Sequence, residues 1–257
     1  MNGYQPTDER METLGNEMFF GPVPTRPLAA FEDTSSATSP GLSTQYVVRR
    51  VPGGIGKTYI REHHYSRSCH NGPMTWGMFE AESDNLVGIC AFATPSSENV
   101  RRAPFGPGFE NSVTELHRLH IQDTTPTNAE SWFVSRALKG LKEERPLIRA
   151  VLSFADSTEG HFGAIYQALN ALYCGTTGRA RFWRDQEGRL RHPRQSGHNV
   201  TPDEAAEKGW VGEMREAKYR YLFLVGNRAE KRDARRRLRL DPQPYPKAHP
   251  APEAPRV

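Results

Sequence analysis

Val113-Thr-Glu-Leu-His-Arg-Leu-His-Ile121, Thr127-Asn-Ala-Glu-Ser-Trp-Phe-Val-Ser-Arg136 and Arg149-Ala-Val-Leu-Ser-Phe-Ala155 lie within one stretch whose reading decides the fold. The first segment alternates as a strand does. Thr127 to Glu130 has the spacing of a capping box, and Val134, Ala137, Leu138 and Leu141 follow at helical intervals until Pro146. Arg149 to Ala155 is a short, nearly continuous apolar run, the pattern of a buried strand. A helix is expected next from Gly163 to Tyr173, with Ile165, Leu169 and Leu172 on one stripe. Outward from this stretch, Tyr46 to Val51, Thr75 to Glu80, Leu86 to Thr94 and Lys218 to Val225 are expected strands, and Lys57 to Tyr65 a short helix. This order predicts an α/β (α+β) chain with a single domain: a central mixed, mostly antiparallel twisted sheet flanked by helices.

The domain expected from this order spans residues 44–227. Residues 1–43 have no hydrophobic period and are expected to be a flexible tail, while 228–257 are expected to be a tail that is first basic and then proline-rich. Cys69, Cys90 and Cys174 are far apart and form no C-x-x-C pair, which argues against a disulfide framework or a cysteine-rich zinc site. With no run of eighteen apolar residues and no signal-peptide pattern, no membrane is expected, and the localisation expected is cytoplasmic. The formal charge is only +4, but Arg228 to Arg239 holds seven Lys/Arg against Glu230 and Asp233. Such a cluster suits a phosphate backbone, and it equally suits a solvated helical end.

Polar residues at the ends of predicted elements are the candidates for chemistry. The junction after Asp123 leads into a helix N-terminus, where free N–H groups with Thr127, Asn128 and Ser131 would hold an anion or a donor molecule; ordinary capping is compatible with that role. Asp156 ends a buried strand, a place for a general base or, equally, for an N-cap. In His63-His64-Tyr65-Ser66-Arg67, Tyr65 suits stacking or proton donation, and a histidine suits base or metal chemistry. Gly53-Gly-Ile-Gly-Lys-Thr58 lacks the first glycine of a phosphate-binding P-loop, Val51 standing there, and is expected to be a turn. Asp241-Pro-Gln-Pro-Tyr245 has no strand before it to make an adenine methyltransferase motif, and the zinc deaminase signature is absent.

In element order the central region resembles the GNAT acyltransferase superfamily, although Thr125-Pro-Thr-Asn-Ala-Glu-Ser131 replaces the glycine-bearing pyrophosphate loop. Between residues 63 and about 225 the chain is also similar to the phage Mom family. That resemblance rests on His64-Tyr-Ser-Arg67, Trp76-Gly77, Leu86-Val-Gly88, Glu115-Leu-His-Arg-Leu119, Ser131, Ser135-Arg136, Ala155-Asp156, Gly160-His-x-Gly163 and Tyr166-Gln-Ala-x-Asn170. It implies a GNAT-like transferase that turns the exocyclic amine of adenine in double-stranded DNA into a carbamoylmethyl derivative, protecting phage DNA from host restriction. Carried over by residue, it implies Tyr65, Asp156 and Ser131 as catalytic and Arg118 as a grip on DNA or donor. His64 is implied as a possible ligand if a metal, iron among the options, takes part. An acyl-CoA-like molecule is the donor that the superfamily suggests, with Thr127, Asn128 and Ser131 binding it. The target base is expected to flip out of the duplex, the cost being offset by substrate or DNA contacts from His64, Arg67, Arg101, Arg136, Arg235, Arg236 and Arg237, with Arg102 nearby. Two other classes stay open: a GNAT acetyltransferase for a protein or small-molecule amine, and a non-enzymatic nucleic-acid-binding domain.

Overall fold

The computed structural model describes residues 41–247, apart from 96, 196 and 197. In chain order the elements are α1 (Leu42–Gln45), β1 (Tyr46–Val51), α2 (Gly53–His63), β2 (Met74–Glu80), β3 (Leu86–Ala93), α3 (Glu98–Arg102), β4 (Val113–Ile121), α4 (Ala129–Glu144), β5 (Ala150–Ala155) and α5 (Ala164–Ala168). They continue as β6 (Leu172–Thr176), β7 (Ala180–Arg184), β8 (Leu190–Arg191), β9 (Arg194–Gln195), β10 (His198–Asn199), α6 (Pro202–Glu207), β11 (Val211–Arg215), β12 (Tyr219–Leu224) and α7 (Arg228–Arg237). Seven strands form one mixed sheet in the order β1-β2-β3-β4-β5-β12-β6. Only β4 and β5 run parallel, so the expectation of a mixed, mostly antiparallel sheet flanked by helices holds.

The β4–β5 pairing is short. Val113 to Leu116 align with Ala150 to Ser153, and from there the two strands part. Beyond Leu116 the second half of β4 is hydrogen-bonded on the β3 side alone, with a register shift between Ala91 and Phe92. The sheet therefore opens into a V with β4 and β5 as its arms. That opening matters because it breaks the ladder and leaves room between two strand ends that point the same way.

Helices cover both faces of the sheet. The face under α4 and α5 is packed by Phe133, Val134, Ala137 and Leu141 against Met78, Cys90, Phe92, Leu116 and Val151. Burying such large side chains contributes ~1.5–3 kcal/mol each, which fixes α4 on the sheet. Pairing positions put Arg118 and His120 on the other face, where α2 supplies Tyr59 and Ile60 and α7 supplies Ala234.

Several local expectations are corrected. The glycines from Gly53 to Gly56 are not a turn but the first turns of α2, where Gly56 lies so close to Thr75 that a Cβ would meet its methyl at 2.5 Å. The helix also stops at His63, which frees Tyr65 from it. The Thr127 capping box does not form: α4 starts at Ala129, and Asn128 takes a left-handed backbone (φ 69°) with no side-chain cap. Asn tolerates that conformation better than most residues. The helix expected from Gly163 to Tyr173 is only Ala164–Ala168; Asn170 (φ 56°) turns the chain, and Leu172–Thr176 is a strand instead. Gly163 (φ 85°) is required at this start, since a Cβ there would run into the ring of Tyr221.

Residues 228–237 make a helix with a complete capping box, Asn227 with Glu230. It does not lie free in solvent. Ala234 is 2% exposed, and Leu238 and Leu240 pack on the same cluster as Phe105, Val113 and Leu222. The chain beyond is tied down where Gln243 N–H donates to the carbonyl of Tyr173 at 2.8 Å. The expected N-terminal tail, apart from 41–43, and residues 248–257 lie outside the described residues.

Candidate active site

Asp156 sits where β5 ends, at the open side of the V. It is 6% exposed and caps a single helical turn, accepting the N–H of Thr158 at 3.1 Å. Both local readings of this aspartate therefore meet: it is a cap, and it is more than a cap. Its other oxygen faces Lys218 Nζ at 2.8 Å and Arg215 at 3.4 Å, and Arg215 also holds Glu159 at 2.7 Å. Burial raises the carboxyl pKa, but the Lys218 hydrogen bond and charge, the Arg215 charge and the Thr158 N–H outweigh it. The net effect is a pKa below the usual carboxylate value. Asp156 is thus a permanently ionised acceptor at neutral pH.

Tyr65 follows α2 and keeps 56% of its surface exposed, an open aromatic face at the mouth of the site. Burial of its hydroxyl and the charge of Asp156 raise its pKa, while Arg118 opposes them, so the phenol stays protonated. Its ring stacks on His64 at a centroid distance of 4.3 Å, and the His161 ring is tilted against it at 6.0 Å. Arg118 crosses from β4 to the Tyr65 loop: Nε donates to the Ser68 carbonyl at 2.8 Å, one terminal nitrogen to the Ser68 hydroxyl, and the other to the His117 carbonyl. No carboxylate pairs with it among the described residues. A half-buried guanidinium with N–H groups to spare is a grip for an anion, and its two bonds to Ser68 hold the loop that carries Tyr65.

Ser131, Thr127 and Asn128 occupy a second place. They line a cleft of about 400 Å³ at the start of α4, closed by Ile121 and Gln122 from the β4 end and by Ala164, Ile165 and Ala168 from α5. Ser131 Oγ donates to the Asn128 carbonyl at 3.0 Å. Asp123 and Glu130 also line this cleft, and no lysine or arginine does. Burial and then the charge of Asp123 raise the pKa of Glu130, while His161 lowers it. His161 is thus against Tyr65 and near enough to Glu130 for its charge to be felt there. Two carboxylates repel a pyrophosphate more than one helix N-terminus attracts it, so the lining does not fit that part of an acyl-CoA. It fits an uncharged group having both a carbonyl oxygen and N–H groups.

The sequence reading brought Tyr65, His64, Arg118 and Asp156 into one neighbourhood and missed several of their partners. Arg215 and Lys218 come from β11 and the turn before β12. β11 belongs to a separate three-stranded sheet, β11-β7-β8, that the hydrophobic pattern did not delineate. A Glu-Met-Arg-Glu-Ala-Lys run in a polar region gave no signal for them. The other basic candidates make contacts of their own. Arg136 stacks on Trp132 at 3.8 Å, and Arg67 has a left-handed backbone (φ 49°) with its side chain reaching the Arg61 carbonyl. Arg101 from α3 and Arg235, Arg236 and Arg237 from α7 stand on elements that pack on one cluster, and Arg236 and Arg237 are both paired with Asp233. For the metal expectation, no group of three or more His, Cys, Asp or Glu able to hold an ion is found among the described residues. Nor is any helix among them long and apolar enough to cross a membrane.

The splayed mixed sheet with helices on both faces is a mixed α/β domain. Residues 45–247 match the Mom protein family, and the chain belongs to it. Methylcarbamoylase mom of Escherichia phage Mu is 28% identical over 217 residues, covering 80% of this chain and 85% of that protein. Among solved structures, spermidine N-acetyltransferase of Vibrio cholerae overlaps 70% of this chain and 94% of its own, at 9% identity and a TM-score of 0.40. Arabidopsis thaliana NAA60 in complex with acetyl-CoA overlaps 71% and 99%, at 10% identity and a TM-score of 0.41.

Proposed function

We propose that this protein is a DNA-modifying transferase that places a carbamoylmethyl group on the exocyclic amine of adenine in double-stranded DNA, and so shields phage DNA from restriction. Membership of the Mom family supports the class of reaction. The observation that carries the chemistry is the buried, ionised Asp156 beside the open ring of Tyr65. Adenine's amine is a poor nucleophile because its lone pair is shared with the ring. Once the amine nitrogen bonds to the methylene carbon and the donor's leaving group departs, the nitrogen is cationic and far more acidic than any carboxylic acid. Even a carboxylate of lowered pKa can then take its proton.

Each neighbour has a role in this scheme. The flipped base stacks on Tyr65, whose protonated hydroxyl donates a hydrogen bond, and Arg118 holds the nearby phosphate. The Thr127 to Ser131 cleft takes the amide end of the transferred group: helix N–H groups face its carbonyl, and Asp123 and Glu130 face its N–H groups. Double-stranded DNA docks through Arg101 and the α7 arginines, a contact that loosens with salt.

The test is to produce the protein in bacteria, digest plasmid DNA to nucleosides and weigh them by mass spectrometry. A deoxyadenosine heavier by one carbamoylmethyl group is the expected result. Unmodified deoxyadenosine beside soluble, folded protein would remove the proposal and leave transfer to a protein or small-molecule amine.

A further inference from the structure

The loop between Asp156 and α5 is held at one carbonyl. The Tyr221 hydroxyl donates its only hydrogen to the Phe162 carbonyl at 2.5 Å, and the Gln167 amide nitrogen donates to the Tyr221 oxygen at 2.9 Å. The same nitrogen lies 3.3 Å from the Phe162 carbonyl and 3.4 Å from that of Pro246, in the segment after α7. A peptide carbonyl can only accept, so the nitrogen and not the oxygen of the Gln167 amide must face this group of oxygens. Tyr221 is fully buried, so a bond lost there is not replaced by bulk water.

The loop that this clamp holds reaches both parts of the site. At its start, the N–H groups of Glu159 and His161 each donate to the Asp156 carbonyl at 3.1 Å. His161 is thereby set between that bond and the clamped carbonyl of its neighbour Phe162, with its ring 6.0 Å from the ring of Tyr65. Beyond Gly163, Ala164, Ile165 and Ala168 of α5 line the acidic cleft together with Asn128 and Ser131. A shift of Phe162 is therefore felt beside Tyr65 and in the cleft, although neither Tyr221 nor Gln167 lines that cleft.

We propose that Gln167 and Tyr221 are positioning residues for the transfer: through the Phe162 carbonyl they set His161 against Tyr65 and α5 against the donor. This rests on the function proposed above. The Pro246 carbonyl keeps the Gln167 amide turned toward Tyr221. The geometry also accounts for the residue type at 167. A carboxylate there would draw the Tyr221 hydrogen to itself and release Phe162, and an apolar chain would leave the oxygens without a donor.

The experiment uses the full chain. Tyr221→Phe keeps the ring that packs on Tyr166 and Tyr173 and removes only the hydroxyl. Adenine modification in bacteria, read by mass spectrometry of nucleosides, is expected to slow about five- to tenfold, with DNA retention near wild type. In the purified variant the amides of residues 157–168 are expected to exchange with deuterium about tenfold faster than in wild type, while those of β4 and β5 keep their protection. The NMR shifts of the His161 ring protons should move as that ring leaves Tyr65, which a general loss of stability does not produce. Gln167→Glu is expected to lose at least as much activity as Gln167→Met, which is of similar length and has no donor. The double variant of Tyr221→Phe with Gln167→Met should lose little more than the worse single one, because both release the same carbonyl. Should Tyr221→Phe fail to fold, the variants at Gln167, a half-buried site, carry the same test. Unchanged exchange and unchanged His161 shifts in these variants, or a wild-type modification rate despite a loosened loop, overturn the proposal. If wild type modifies no adenine, the function fails and the role in transfer falls with it, while exchange and the His161 shifts still decide whether the clamp holds the loop.

Discussion

The two sides of the V differ in charge more than in shape. Around Asp156 stand Arg215 and Lys218, and Arg118 is tied to the loop that carries Tyr65. Around Ser131 stand Asp123 and Glu130, with no cation in the lining. The first side suits a polyanion such as DNA and the second a neutral donor, and the gap between β4 and β5 is where the two would meet. This separation sets the carboxylates in opposite directions: Asp156 is kept ionised by its neighbours, whereas Glu130 is pressed toward its neutral form.

The sharpest way to break the comparison is to neutralise Asp156. Asp156→Asn should lower turnover by about 10²-fold or more, the usual weight of a positioned proton acceptor, while DNA retention stays near wild type. Mass spectrometry of nucleosides and a DNA column read the two effects apart. The pH dependence has a definite sign. Because the folded-state pKa of Asp156 lies below its unfolded value, its stabilising contribution is complete above the ordinary carboxylate range and is lost as pH falls through the folded value. Acid titration of the unfolding midpoint, with Asp156→Asn alongside, should show this loss in wild type only.

A smaller effect belongs to Tyr65→Phe, which keeps the stacking face and removes the hydroxyl. A loss of about ten- to a hundredfold in kcat with little change in DNA affinity is expected, whereas Tyr65→Ala should weaken both. On the other side of the V, Gly163→Ala should strain the start of α5, the wall of the acidic cleft. Forcing alanine into φ 85° beside Tyr221 should cost ~1–3 kcal/mol, seen as a lower urea midpoint. The smallest effect is expected at the C-terminal helix. Replacing Arg235, Arg236 and Arg237 by Ala should reduce the salt slope of DNA binding by roughly 1 rather than 3, because Arg236 and Arg237 already pair with Asp233.

Much of the sheet was legible because its strands announce themselves by apolar content. Tyr46 to Val51 and Val113 to Ile121 were expected with the bounds that the structure has. The failures came where a pattern is shared by two structures. Ile165, Leu169 and Leu172 fit a helical stripe, yet Leu172 opens a strand, because an apolar run that short has no period of its own. Thr127 and Glu130 have the spacing of a capping box, but tertiary packing starts α4 two residues later than Thr127. The region 177–217 gave little signal because β7, β8 and β11 bury few side chains; Trp183, Val200 and Ala205 are the buried residues of their small cluster.

By itself the sequence determined most of the central element order, the mixed sheet and the family, since these depend on hydrophobic pattern and on several motifs that follow one another along the chain. It also named Tyr65, His64, Arg118 and Asp156 as polar groups at the ends of predicted elements, which the family resemblance joined into one site. Only the tertiary structure decided what each of them is. Arg215 and Lys218, about 60 residues further along the chain, keep Asp156 charged, burial and the charge of Arg118 keep the His64 ring neutral, and Asp123 turns the expected anion site acidic. A residue's type sets the proton it can exchange, but charge and solvent within a few ångströms set whether it does, and those neighbours are assembled by folding.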